Sequence, residues 1–417
     1  MLMIFQYVTY AALGLMAVYM LVLIYSGMHR VRVGERMAKA ELEKYVADIN
    51  LVLERKREQI KHSELSWNNF RKFEVVRKHL EAKDTQSFYL APHDRRALPP
   101  FQPGQYLTFK LDVPGQKKPV TRCYSLSDSP NNQDYYRITV KRIPPPRDDP
   151  DAPPGVSSAY FHDVILENDI INVMAPSGHF YLDTDRRHPV VLIGGGIGLT
   201  PVLSMLNYIV ESGSKQEVWF FYGVRNGEEH AMKGHLERID RENENVHMHV
   251  CYSSPGEGEE LGKDFQYQGR VSVDLFKQLL PSNNYDFYFC GPPPMMNSLA
   301  EGLEAWNVPE SSIHFEAFGA ASVKKKKTAT EKVSYDIKFA RSGKTLNWTG
   351  ESDSILEFAE DNDIEMSFGC RAGNCGSCST AIKEGDVELV QEAGADCESG
   401  SCLTCVSIPK SNLVLDA

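Results

Sequence analysis

The sequence predicts a multi-domain chain of α+β and α/β type. It reads as one N-terminal transmembrane helix, an antiparallel β-barrel, a parallel-sheet α/β domain and a small cysteine-bearing domain. Three observations carry this reading. An uncharged apolar run opens the chain. Short alternating strands, bounded by turn residues, then give way to buried strands separated by helices. Six of the nine cysteines fall in two groups, at 370, 375 and 378 and at 397, 402 and 405. A length of 417 residues suits two or three domains. With 42% apolar and 24% charged residues the composition is globular, which excludes wholesale disorder, a collagen-like fibre and a polytopic membrane protein. The net charge of −11 argues against a nucleic-acid partner.

Residues 4–25, IFQYVTYAALGLMAVYMLVLIY, contain no charge. As a helix they span about 33 Å at ~1.5 Å per residue, close to the ~30 Å hydrocarbon core of a bilayer. No positive stretch precedes the run and it is long for a signal peptide, so an uncleaved anchor over 1–28 is expected. Arg30, Arg32 and Arg36 follow it at once. The positive-inside rule then places the C-terminal domains in the cytoplasm, where thiols stay reduced or metal-bound. Residues 29–65 read as a juxtamembrane helix, because Leu42, Val46, Ile49, Leu53 and Ile60 recur at helical spacing among dense charge. A spacer or short coiled coil is the plain reading, and a partner-docking helix the sharper one.

Over 66–187, FEVVRKHL, YLTFKLDV, YYRITVKRI and IINVMAP are short runs bounded by Pro, Gly, Asn or Asp. That pattern predicts a small antiparallel barrel. Over 188–322 the texture changes. PVVLIGGGIGLTPVLSMLNYIV reads as buried strand, glycine turn and helix, and EVWFFYGV and YDFYFCG as further buried strands. Strands alternating with helices predict a parallel sheet covered on both faces. The glycine turn GGGIGLTP (194–201) lets the backbone approach a phosphate, with a helix N-terminus supplying N–H donors.

Around that turn stand PFQPGQYL (100–107), Arg122-Cys123-Tyr124-Ser125-Leu126-Ser127, PPGVSSAYFHD (153–163), Cys290-Gly291-Pro292-Pro293-Pro294-Met295-Met296 and Phe315-Glu316-Ala317-Phe318-Gly319. In this order they closely resemble the ferredoxin–NADP reductase family of flavoproteins, over about residues 66–319. The resemblance implies an FAD-binding barrel and an NAD(P)-binding domain. It makes Arg122 the partner of the flavin pyrophosphate, a role a guanidinium fork suits. It places Tyr124 against the isoalloxazine ring, Ser125 near the hydride-accepting atom and Phe318 on the other ring face. Gly155, Val156, Ser157 and Ser158 match a second pyrophosphate-binding turn, which favours FAD over FMN. Gly195, Gly196, Gly198, Thr200 and Pro201 match the dinucleotide turn. Ser125, Cys290 and Glu316 are the catalytic candidates beside the nicotinamide. Cys290 is not read as a nucleophile, because hydride transfer depends on positioning two rings. Arg225, in FYGVRN, falls where the adenosine ribose commonly lies. The segment lacks the serines and basic residues typical of NADPH-specific members, so NADH is expected, with NADPH the alternative.

KKKKTATEK (324–332) marks a linker, placed at 323–331. Beyond it, over 332–417, Cys370-x4-Cys375-x2-Cys378 has the plant-type ferredoxin spacing of a [2Fe–2S] cluster. Zinc is the alternative, but this spacing with a distant fourth cysteine is uncommon for zinc. CLTCVSIP (402–409) resembles the end of plant-type ferredoxins. That likeness implies a β-grasp domain and Cys405 as the fourth ligand, with Cys402 the alternative. Cys397 and Cys402 have no assigned role, and a disulfide between them is disfavoured in the cytoplasm. Residues 332–417 hold seven Lys/Arg against fifteen Asp/Glu, a net −8. That charge serves solubility or forms a docking face for a basic acceptor.

The expected function is a membrane-anchored NAD(P)H-dependent oxidoreductase, with FAD, a [2Fe–2S] cluster and NADH as its cofactors. It passes electrons to an unidentified acceptor protein such as an oxygenase, desaturase or hybrid-cluster protein. The domain order resembles phthalate-dioxygenase-type reductases. The flavin region also resembles flavohaemoglobin reductase and the flavin subunit of sodium-translocating NADH:quinone reductase, although that subunit carries its cluster domain between anchor and flavin domain. The alternatives are therefore an electron-input subunit of a respiratory complex and a redox-sensing membrane protein.

Overall fold

The computed structural model describes the chain except residues 1, 68, 117–118, 146–152, 317, 319–333, 351, 370, 372, 374–375 and 391–396. Cys370, Cys375 and the expected linker at 323–331 therefore lie outside the described residues. The chain divides into two units, Met1–Leu65 and Ser66–Ala417.

The first unit is one uninterrupted helix, α1 (Leu2–Leu65). The anchor and juxtamembrane segments read separately from the sequence are continuous, because no proline falls between them and the charged stretch is rich in Ala, Glu, Lys and Arg. Within it Tyr7–Arg30 is long and apolar enough to cross a membrane. All side chains at residues 7–25 are exposed, which in water would leave a large apolar surface uncovered.

The second unit begins with six antiparallel strands: β1 (Arg71–Ala82), β2 (Thr85–Pro92), β3 (Tyr106–Leu111), β4 (Val120–Ser125), β5 (Tyr136–Lys141) and, after helix α2 (Val156–Asp163), β6 (Ile170–Val173). Their order is β4-β3-β6-β1-β2-β5. A bridge from Leu126 to Ile138 links the two edges, so the sheet curls on itself. Phe73, Phe88, Phe109, Ile138, Phe161 and Val173 fill it and are fully buried, each apolar side chain contributing roughly 1.5–3 kcal/mol. The sequence runs anticipated β1, β3, β5 and β6. They passed over β2, whose four consecutive buried residues break alternation, and β4, which is half-buried almost throughout.

A parallel sheet follows: β7 (Val190–Gly195), α3 (Leu199–Glu211), β8 (Val218–Val224), α4 (Lys233–Glu242), β9 (Val246–Tyr252), β10 (Tyr267–Gln268), α5 (Val273–Leu279), β11 (Asp286–Cys290), α6 (Pro293–Ala305) and β12 (Ile313–Glu316). Its order is β10-β9-β8-β7-β11-β12, parallel throughout. The order reverses between β7 and β11, and in such sheets ligands bind beyond the strand C-termini at that point. Apolar groups cover both faces, one around Val202, Leu206 and Tyr222 and the other around Phe221, Phe287 and Leu299.

The last part contains β13 (Tyr335–Phe339), β14 (Lys344–Trp348), α7 (Ile355–Asp361), β15 (Ser379–Glu384), β16 (Val387–Leu389), β17 (Ser401–Leu403), β18 (Ser407–Pro409) and β19 (Leu413–Leu415). Five strands form a mixed sheet, β14-β13-β19-β15-β17, with β13 and β19 parallel at its centre. Ile355 and Ala359 of α7 pack on Ile337, Phe339 and Leu415.

Candidate functional site

A cleft of about 370 Å³ opens where the barrel meets the glycine turn, a size typical of a small-ligand site. β4 supplies Arg122, Tyr124 and Ser125; the start of α2 supplies Gly155, Val156, Ser157 and Ser158. Thr200 and Phe318 complete the residues singled out from the sequence, and Thr139, Lys141, Ile143 and Ile197 line it as well. Ile197 falls within the glycine turn but was not named, and Thr139, Lys141 and Ile143 are ordinary strand and turn residues that carry no local signature.

The walls are braced. Tyr124 hydroxyl and Ser157 Oγ are 2.8 Å apart, which ties β4 to α2. The Tyr124 ring stands edge-on to Phe109 and Phe161 at 5.7 and 5.1 Å. Burial pushes its phenol up to about 12, so it stays neutral. The α2 start is pinned to the β5 exit: Ile143 N–H donates to Ser158 Oγ at 3.1 Å, and Gly155 N–H to the Ile143 carbonyl at 3.0 Å. Arg122 donates from Nη1 to the Thr121 carbonyl at 2.7 Å. Burial, with the nearby Arg371 adding to it, draws the Arg122 pKa down. An anion beside this guanidinium would relieve that cost.

The glycine turn connects β7 to α3. Gly196 has φ +54°, a left-handed backbone that glycine adopts without strain. At Gly198 a Cβ would overlap the Cys290 carbonyl, so glycine is needed where the turn meets the end of β11. Thr200 Oγ1 donates to the Ile197 carbonyl at 3.1 Å, and Pro201 is buried in the first turn of α3. Gly195 closes β7. Arg225 follows β8 and is exposed; it does not line the cleft. The barrel is latched to this domain through Asp128, whose carbonyl accepts from Ser204 Oγ at 2.7 Å, and through Lys141–Glu229 at 2.7 Å.

The three catalytic candidates converge. Cys290 and Glu316 are register partners at the ends of β11 and β12. Glu316 is hydrogen-bonded to Ser125 across the domain junction. Burial pushes the Glu316 carboxyl up to about 8, against the lowering effect of that bond. Its Oε2 is buried without a hydrogen-bond partner among the described residues. Cys290 is fully buried, and burial followed by the nearby Glu316 raises its thiol well above the usual range. It is a neutral, space-filling group.

In the C-terminal part, the sulfurs of Cys378 and Cys405 lie 3.1 Å apart, within a buried group that includes Leu356, Leu403 and Val406. Two thiols this close in an apolar shell suit ligation of one metal cluster. Cys402 instead joins the main core under α7, and burial pushes its thiol up to about 12. Cys397 is exposed, with its sulfur 3.6 Å from Ser379 Oγ.

Three family models match the chain in succession. Residues 72–181 match the oxidoreductase FAD-binding domain, 192–301 the oxidoreductase NAD-binding domain and 337–410 the 2Fe-2S iron-sulfur cluster binding domain. A flavohemoprotein of Halalkalibacterium halodurans is 40% identical over 282 residues, 67% of this chain and 68% of that protein. The chain thus spans about two thirds of that curated relative. Among solved structures, phthalate dioxygenase reductase, described as modular for electron transfer from pyridine nucleotides to [2Fe–2S], is 30% identical. That match covers 84% of this chain and 98% of that one, with a TM-score of 0.52. The FAD/NAD-binding domain of a Vibrio cholerae nitric oxide dioxygenase is 31% identical over 60% of this chain and all of that one, with a TM-score of 0.54.

Flavin, nicotinamide and iron–sulfur domains in this order define an NAD(P)H-dependent electron-transfer reductase. The chain belongs to the ferredoxin–NADP reductase family of flavoproteins, with a [2Fe–2S] ferredoxin domain following the nucleotide domain.

Proposed function

We propose that this reductase is anchored in a membrane by Tyr7–Arg30 and delivers electrons from NADH, through its acidic cluster domain, to a protein acceptor of the oxygenase class. When bound, FAD accepts a hydride and [2Fe–2S] carries one electron at a time, so the pair matches a two-electron donor to a one-electron acceptor. The observation that carries the reading is that Ser125, which lines the cleft with Arg122 and Tyr124, meets Glu316, the register partner of Cys290.

The remaining roles belong to the chain's own side chains. Arg122 and the start of α2 would hold a pyrophosphate, the first by charge and the second by N–H donors. Tyr124 offers an apolar ring face, and Phe318, 42% exposed, lines the cleft with it and would have to yield to the nicotinamide. Gly195, Gly196 and Gly198 bring backbone close to the dinucleotide, whose nicotinamide end reaches Cys290. Neutral Cys290 would back that site as a small apolar group at the end of β11. Glu316, protonated below about pH 8, makes little demand on the Ser125 hydroxyl, which is then available to the cleft. Cys370, Cys375, Cys378 and Cys405 would hold the cluster as thiolates. The net −8 of residues 332–417 suits a basic acceptor surface.

Removal of residues 1–28 tests the anchor. The shortened protein is expected in the soluble fraction with its NADH–ferricyanide activity intact. Persistent membrane association would contradict the assignment. Co-purification of the full chain from detergent with an oxygenase component supports the acceptor class; co-purification with quinone-reactive membrane subunits would replace it.

A further inference from the structure

Phe368 stands two residues before Cys370 in the cluster loop and is half-buried. It packs on the buried group that contains Cys378, Cys405, Leu356, Leu403 and Val406. Its ring also carries two guanidinium groups. Arg371, from the same loop, lies 4.1 Å from the ring centroid, and Arg122, from the flavin cleft, lies 5.6 Å from it. Arg371 is ion-paired with Glu360 near the end of α7. One aromatic side chain therefore packs on the buried group that holds Cys378 and Cys405 and also meets the flavin-cleft arginine.

We infer that Phe368 is a positioning residue that seats the cluster domain on the flavin domain, its ring stacked against Arg122 and steadied from the cluster side by the Arg371–Glu360 pair. The inference rests on the reductase reading above and adds the contact that brings its two redox centres together. A cation over an aromatic face is attracted by the ring quadrupole, more strongly when water is excluded. Arginine suits the position because its flat face stacks while its edge still presents N–H donors. One Arg122 donor is committed to the Thr121 carbonyl, and the rest of the fork is left for a phosphate. Two cations share one ring. Glu360 offsets Arg371, and a bound pyrophosphate would offset Arg122, so flavin binding and seating strengthen each other reciprocally. The contact makes and breaks no covalent bond and moves no proton; it sets the separation that one electron crosses.

The test uses the full-length protein in detergent, carrying FAD and its cluster. Phe368→Leu keeps an apolar side chain on Leu356, Leu403 and Val406 but removes the ring; Phe368→Tyr keeps the ring. After anaerobic mixing with NADH, cluster reduction is expected to slow at least tenfold in the Leu variant and to stay near wild type in the Tyr variant. Flavin reduction is unchanged in both. Amide hydrogen exchange is expected to quicken along β4 in the Leu variant, a change that loosening of the cluster loop alone would not produce. Wild-type cluster reduction and β4 protection in Phe368→Leu would overturn the inference, as would equal slowing in Phe368→Tyr. Should Phe368→Leu lose its cluster, Arg371→Gln replaces it. About threefold slower cluster reduction with faster β4 exchange then supports the seating, and no change in either overturns it. A wild-type protein whose cluster NADH never reduces would instead overturn the reductase reading itself.

Discussion

Cys405→Ser is expected to abolish the visible absorbance of the [2Fe–2S] cluster, while NADH–ferricyanide reduction through the flavin continues at the wild-type rate. Cys402→Ser is expected to keep the cluster. The two cysteines are three residues apart and both buried, yet their surroundings differ. The Cys405 sulfur lies 3.1 Å from that of Cys378. Cys402 is turned into the core with Ile337, Trp348 and Ile355, where burial pushes its thiol up to about 12. A ligand must be a thiolate, and that site opposes one. Serine at 402 would leave a hydroxyl among apolar side chains, at a cost of roughly 1–3 kcal/mol in fold stability. The opposite pattern, cluster lost with Cys402→Ser and kept with Cys405→Ser, would reassign the fourth ligand. Loss of ferricyanide activity in Cys405→Ser would show that flavin and cluster do not function separately.

Glu316→Gln is expected to remove an alkaline limb from the pH profile. In the wild type, kcat/KM for NADH–ferricyanide reduction should fall about tenfold per pH unit above about pH 8. Below that, the neutral carboxyl leaves the Ser125 hydroxyl available to the cleft. Above it, the carboxylate draws the Ser125 hydrogen to itself and the cleft loses a donor. The Gln variant keeps an N–H donor at every pH, so its profile should run flat through this range. Stability follows the same group. The folded state holds the Glu316 proton more tightly than the unfolded chain does, so stability declines as pH rises from the ordinary 4.5 to about 8. An unchanged limb in Glu316→Gln would show that another group titrates there.

What could be read from the sequence was local. The glycine turn, the Arg122–Ser125 motif and the spacing of Cys370, Cys375 and Cys378 are each contained in a few consecutive residues whose chemistry demands that pattern. The parallel sheet was legible because its strands are continuous apolar runs. What escaped depends on residues brought together by folding. The Tyr124–Ser157 bond joins a strand to a distant helix, and Asp128 latches the barrel to α3 through Ser204. Phe368 reads in sequence as an apolar residue beside a cysteine, and only the fold sets Arg122 over its ring. The Glu316 carboxyl was placed by its motif, but its raised pKa comes from burial that no local pattern encodes.

The central claim is that electrons enter from NADH at the flavin and leave through the cluster. Anaerobic stopped-flow mixing of the FAD- and iron-loaded protein with one equivalent of NADH tests it most directly. The account predicts that flavin absorbance bleaches first and that cluster absorbance then falls in the same molecules, without any added carrier. A flavin that reduces while the cluster stays oxidised would contradict it.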